Sequence, residues 1–149
     1  MRVLFDFFIN IARWACFRAD IFAKELEYGK TVIIENQLED TNHDHLGKLI
    51  TYASGKSADI VIWVVKRARE EHRSAIEWLN NHTDENIALF LVEIKLYQIG
   101  SSDIAVKFEV VEKPNDWTRK PTESLYLIRQ IFKIRISGLN SSIGRWTLP

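Results

Sequence analysis

The sequence predicts an α/β domain built on a mixed central sheet flanked by helices. Three observations predict it. Val32-Ile33-Ile34 and Ile60 to Val65 are short apolar runs rich in β-branched residues, the mark of strands covered on both faces. Leu46, Leu49, Ile50 and Ala53, and then Ala75, Ile76, Trp78 and Leu79, are spaced for the apolar faces of helices. The two kinds of segment interleave along the chain, as they do when helices pack on the faces of a sheet.

Taken in order, Val3, Leu4, Phe7, Phe8 and Ile11 follow helical spacing and predict a short amphipathic helix at the start. Phe17 to Ala23 reads as a short strand. Lys24 to Lys30, with Gly29, reads as a turn. Thr31 to Leu38 is the clearest strand. Thr41 and Asn42 are good caps for a helix that carries the Leu46 stripe and ends at Gly55. Ile60 to Val65 is a strand and Arg69 to Asn81 a second helix. Ile87 to Ile99 contains a strand in which Phe90, Val92, Ile94 and Leu96 alternate with Leu91, Glu93, Lys95 and Tyr97. Phe108 to Val111 is one more strand. Lys113-Pro114-Asn115-Asp116-Trp117 is turn chemistry. Residues 1–117 are thus expected to form one domain, and 118–149 a basic extension, with helical spacing at Leu125, Ile128, Ile131 and Phe132. Trp63, Trp78, Trp117 and Tyr97 are expected in packing roles rather than as platforms for bases.

Length and composition fit this reading. The chain has 149 residues, of which 46% are hydrophobic, enough for one self-sufficient core. Its lone cysteine, Cys16, excludes an internal disulfide and fits a reducing compartment, so the cytoplasm is the expected location. No apolar run reaches the length of a membrane span, and Asp6 and Arg13 interrupt the first segment, so neither a membrane nor a signal peptide is expected. The net charge is zero, which argues against strong non-specific phosphate binding. It is unevenly spread. Residues 1–117 hold 14 basic and 19 acidic residues, and residues 118–149 hold 6 basic residues and one acid.

The chemistry concentrates in Thr31-Val32-Ile33-Ile34-Glu35-Asn36-Gln37. Side chains alternate along a strand, so Glu35 and Gln37 share a face, about 6.6 Å apart along the axis. A carboxylate and an amide at the end of an apolar strand need partners, and a metal ion or a phosphate would serve. Asp20, on the preceding strand, offers a second carboxylate that meets Glu35 if the two strands pair through the Gly29 turn. Hard divalent cations such as Mg²⁺ take oxygen ligands of this kind.

Asp20 followed fifteen positions later by Glu35-Asn36-Gln37 resembles the paired-strand signature of PD-(D/E)XK nucleases. In that superfamily an Asp ends one strand and acid-x-Lys ends the next. Residues 17–117 also resemble an uncharacterised bacterial family with this nuclease-like core. The stretches that carry the likeness are Ile34-Glu35-Asn36-Gln37-Leu38-Glu39, His43-Asp44-His45-Leu46-Gly47, Thr51-Tyr52-Ala53, Glu71-His72-Arg73, Trp78-Leu79-Asn80 and Pro114-Asn115-Asp116-Trp117. The resemblance implies a restriction-endonuclease-like or tRNA-endonuclease-like fold and nucleic acid as partner, DNA in preference to RNA. It also implies Mg²⁺ or Mn²⁺ held by Asp20 and Glu35. Gln37 stands where the superfamily usually has Lys, and it offers only neutral hydrogen bonds where a charge would normally act. Residues 1–16 lack the family's usual entry, and its downstream domain is missing after Trp117, so a truncated or frame-altered copy is expected. A catalytically weak or inactive binding or interaction module on the same fold is the alternative.

Secondary candidates have plainer alternatives. His45 is placed to reach the carboxylates, or to support the Asp44 cap. Lys48 is placed to replace the missing motif lysine, or to lie in solvent. His43 and His45 do not share a helix face, so no two-histidine metal site is expected from them. Arg67, Arg69, His72 and Arg73 are placed to touch a nucleic-acid backbone, or to pair with Glu70, Glu71 and Glu77.

Overall fold

The computed structural model describes residues 7–10, 21–25 and 29–115. The strands are β1 (Phe7–Asn10), β2 (Ile21–Glu25), β3 (Thr31–Asp40), β4 (Ile60–Arg67), β5 (Ala88–Tyr97) and β6 (Ala105–Glu112). The helices are α1 (His43–Gly55), between β3 and β4, and α2 (Glu70–His82), between β4 and β5. The six strands form one sheet in the order β1-β2-β3-β4-β5-β6. β3, β4 and β5 are parallel, while β1, β2 and β6 join antiparallel to their neighbours. The mixed α/β sheet with flanking helices is therefore as the sequence predicts.

The chain divides into two units, Met1–Asn115 and Asp116–Pro149. The basic C-terminal stretch, Trp117 and the helical spacing at Leu125 to Phe132 lie outside the described residues, as do Asp6, Cys16 and Asp20. No described helix is long and apolar enough to cross a membrane.

One expectation fails at the start. Phe7–Asn10, placed within a predicted helix, is a strand whose register sets Phe7 opposite Glu25 and Asn10 opposite Phe22. Its aromatic and β-branched side chains suit an extended, paired backbone better than a helix. Elsewhere the boundaries move by a few residues. Gly29 adopts a left-handed φ of 67°, as a turn before β3 requires.

The core lies between the sheet and both helices. Ile33, Val61, Trp63, Val65, Leu89 and Leu91 point from the sheet toward Leu49 of α1 and Ile76 of α2. The strand order runs steadily from β3 to β5, so two crossovers of the same hand put α1 and α2 on the same face. The opposite face is apolar and buried too, through Ile21, Ala23, Val32, Ile34, Ile62, Val64, Phe90 and Val92.

Two polar side chains set the strand starts. Asp59 accepts from the Thr31 amide through Oδ2 (2.6 Å), and its own backbone links Thr31 O and Ala88 N (both 2.9 Å). Asn80 of α2 meets Leu89 with both ends of its amide: Nδ2 donates to Leu89 O and Oδ1 accepts from Leu89 N, each at 3.0 Å. β6 pairs with β5 only from Leu91 onward, so Asn80 takes the place of a strand partner for Leu89. Asn80→Ala should lower unfolding stability by about 2 kcal/mol, because it strands a part-buried donor and acceptor. Urea unfolding measures it, and a change below about 0.5 kcal/mol, the level of an ordinary surface substitution, would contradict the role.

Candidate functional site

Parallel α/β sheets gather polar side chains at the carboxyl ends of their strands, where the next helices begin. Here Glu35 and Gln37 project from β3 onto the helix-covered face, in line with Ile33. Across the sheet, Glu35 is level with Trp63 and Leu91, and Gln37 with Val65 and Glu93. Both polar side chains are buried, Glu35 at 6% and Gln37 at 3% exposure.

Gln37 is held at both ends. The Trp63 indole N–H donates to its Oε1 (3.2 Å), and its Nε2 donates to Asp40 O (2.7 Å). The second bond spans the register irregularity between Gln37 and Asp40, so the amide stitches the end of β3 together. Asp40 in turn pairs through its carboxylate with Arg67 of β4. In this arrangement the Gln37 amide is engaged with protein groups at both ends.

Lys48, one turn into α1, forms an ion pair with Asp44 at 2.5 Å. The Asp44 hydrogen bond holds the Lys48 ammonium above its usual range. The charge of Glu35 acts in the same direction as a smaller influence, so Lys48 lies within electrostatic reach of the Glu35 carboxylate. The same contact holds Asp44 below the usual carboxylate range. His45 turns to the helix cap: its backbone N–H and its ring Nδ1 both meet Asn42 Oδ1, at 2.9 and 3.0 Å. Asn42 is thus the capping residue, satisfying one of the open amides of the first turn.

Sequence reasoning missed a polar cluster beside these residues. Thr41 and His72 are both buried, at 0% and 2% exposure. Thr41 Oγ1 lies 2.9 Å from His72 Nδ1 and accepts from the Arg69 amide at 2.9 Å. On the far side of the ring, His72 Nε2 faces His43 Nδ1 at 2.7 Å. The rings meet edge-on, with centroids 4.8 Å apart, and His72 stands edge-on to Trp63 at 5.8 Å. Burial holds the His72 imidazole below its usual range. The neighbouring His43 and Arg69 add to that effect, and Glu71 opposes it. Thr41, His43 and His72 stand where β3 and β4 hand over to helices, which was the available signal. Their pairing depends on the two helix starts being neighbours, which no local pattern reveals.

The basic cluster largely pairs with acids. Arg67 meets Asp40, while Arg73 meets Glu70 (2.8 Å) and Glu112 (3.2 Å). Of the aromatic residues expected in packing roles, Trp63 is fully buried. Trp78 and Tyr97 are exposed at 59% and 51%, and Trp78 stacks on His82 with centroids 4.5 Å apart. Trp78 sits on the outer side of α2 and Tyr97 near the tip of β5, and neither position is enclosed by the core between the sheet and the helices.

Among the described residues, no three or more His, Cys, Asp or Glu side chains are grouped so as to hold a metal ion. Glu35 supplies one carboxylate, the donor class Mg²⁺ prefers, and an ion bound through one or two carboxylates completes its shell with water and substrate oxygens. Comparison with protein-family models, curated proteins and solved structures gives no match.

Proposed function

We propose that this chain is a metal-dependent, nuclease-like protein that acts on nucleic acid, DNA in preference to RNA, at a site built on Glu35 and Asp20. The observation that carries this reading is the β2–β3 pairing. The two strands run antiparallel with Ile21 opposite Ile34, and Glu35 is the next residue of β3, buried on the helix-covered face. The proposal requires that register to continue by one residue, which would set Asp20 opposite Glu35. A bound Mg²⁺ or Mn²⁺ would polarise the phosphodiester and acidify an attacking water. Glu35 would hold the ion, and Lys48, within electrostatic reach of Glu35, would supply the positive charge that Gln37 lacks. The lone cysteine supports a cytoplasmic, reducing setting.

One observation favours a second reading, a nucleic-acid-binding or interaction module without cleavage. Gln37 is engaged with Trp63 through its Oε1 and with Asp40 through its Nε2, which suits a structural role for the motif position.

Cleavage assays on DNA and RNA with added Mg²⁺ or Mn²⁺ separate the two. The nuclease reading expects metal-dependent cleavage that Glu35→Gln and Asp20→Asn reduce to background while the fold is kept. Lys48→Ala should slow cleavage and leave metal affinity unchanged. A gel shift that weakens with salt, without cleavage, supports the module. Neither binding nor cleavage removes the nucleic-acid reading altogether.

A further inference from the structure

The direction of the hydrogen bonds through Thr41, His72 and His43 follows from the buried end of the chain. The Arg69 amide can only donate, so it occupies a lone pair of Thr41 Oγ1 (2.9 Å). Thr41 is fully buried, and its own O–H needs an acceptor. Among the described residues, His72 Nδ1 is the acceptor in reach, at 2.9 Å. Neutral His72 then carries its proton on Nε2 and donates it to His43 Nδ1 at 2.7 Å. His43 is left with its proton on Nε2, on the other side of an exposed ring. A second proton on His43 Nδ1 would set two hydrogens against each other across 2.7 Å. His43 is therefore a neutral donor, and each bond of the chain polarises the next.

Arg69 stands beside this donor. Its amide binds Thr41, and its guanidinium charge acts on the His72 ring. The Arg69 side chain is exposed and, among the described residues, makes no ion pair. Its basic neighbours differ: Arg67 is taken up by Asp40, and Arg73 by Glu70 and Glu112. Two acids at the same helix starts are engaged as well, Asp44 with Lys48 and Glu70 with Arg73. An N–H donor and a guanidinium at neighbouring helix starts suit the oxygens of one phosphate. Contacts of this kind position a nucleic acid without reading its sequence.

We propose that His43 and Arg69 together hold a backbone phosphate of the nucleic acid, His43 as a neutral hydrogen-bond donor and Arg69 as the cation. This site rests on the nucleic-acid reading above, and it serves a cleaving and a non-cleaving protein alike. Thr41 and His72 are positioning residues, because they fix which nitrogen of His43 carries the proton.

Fluorescence anisotropy of the full chain with short labelled DNA and RNA duplexes tests it, over a salt series at a fixed concentration of Ca²⁺, a hard cation like Mg²⁺. The wild type should bind, with affinity falling as salt rises. Arg69→Ala should weaken binding and reduce the slope of log affinity against log salt by about one, the loss of one charged phosphate contact. His43→Ala should weaken binding at least about tenfold, the worth of one hydrogen bond to a charged group, and leave the slope unchanged. Nitrogen-15 NMR should show the Nε2–H tautomer for both His43 and His72. Thr41→Val should release His43 to a mixture of tautomers. Circular dichroism of each variant checks the fold. A wild type that binds neither duplex removes the nucleic-acid reading and this site together. A wild type that binds, with both alanine variants matching it, overturns this site alone. A slope that falls by about one in His43→Ala, or a His43 proton on Nδ1, overturns the neutral-donor role.

Discussion

Trp63→Ala should be among the most destabilising single substitutions in this domain, costing about 4 kcal/mol. Trp63 is fully buried at the centre of β4, between Glu35 on β3 and Leu91 on β5. Its ring fills the space under the helices, and truncation leaves a cavity as well as losing apolar burial. Against a typical total of about 5–15 kcal/mol, that is a large fraction of the stability. Trp63→Phe separates the hydrogen bond from the packing. It keeps an aromatic ring but removes the N–H that Gln37 Oε1 accepts, and the buried amide oxygen then loses a partner at a cost of about 1–2 kcal/mol. Combining Trp63→Phe with Gln37→Leu should cost less than the sum of the two alone, by about 1 kcal/mol, because both remove the same bond. Urea unfolding of the three variants measures this. Strict additivity would mean that the indole–amide contact contributes nothing.

Acid should destabilise the fold through His72. The folded imidazole is held below its usual range by burial first, then by His43 and Arg69, with Glu71 opposing. Its place in the first turn of α2 adds to this, since a helix N-terminus disfavours a cation. His43 faces it from α1 and Trp63 from β4. The sign follows from proton linkage. Above about pH 6.5, the ordinary histidine value, His72 is neutral in both states and its contribution to stability is complete. As pH falls below that value the unfolded chain takes up the proton first, and stability is lost until the folded His72 also protonates. The slope attributable to this one group reaches at most about 1.4 kcal/mol per pH unit. Urea unfolding from about pH 5 to about pH 8, across the histidine range, on the wild type and His72→Gln reads it. The variant should be less stable at neutral pH and lose less stability on acidification. Parallel curves would show that His72 does not carry the effect.

The same residues mark the boundary between what is legible in a sequence and what is not. β3, α1, β4, α2 and β5 are readable because each carries a local signal: β-branched runs, apolar spacing, or a Thr-Asn cap ahead of the first turn. Glu35 and Gln37 are readable as a same-face pair because the two-residue period of a strand is a property of the backbone alone. β1 is not legible, because apolar residues at helical spacing predict a helix there, while the extended state of Phe7–Asn10 depends on pairing with β2, which the local pattern does not contain.

The sequence by itself determined the order of elements, the apolar faces, and the placement of a carboxylate and an amide at one end of β3. Only the tertiary structure decided what those groups touch. Gln37 is 26 positions from Trp63, and His43 is 29 from His72. Whether such pairs meet depends on which strands become neighbours and which helix starts share an edge of the sheet. The reason is physical. Periodicity follows from backbone geometry within one element. Partner choice follows from burial and hydrogen bonding between elements, and those interactions exist only once the chain has folded.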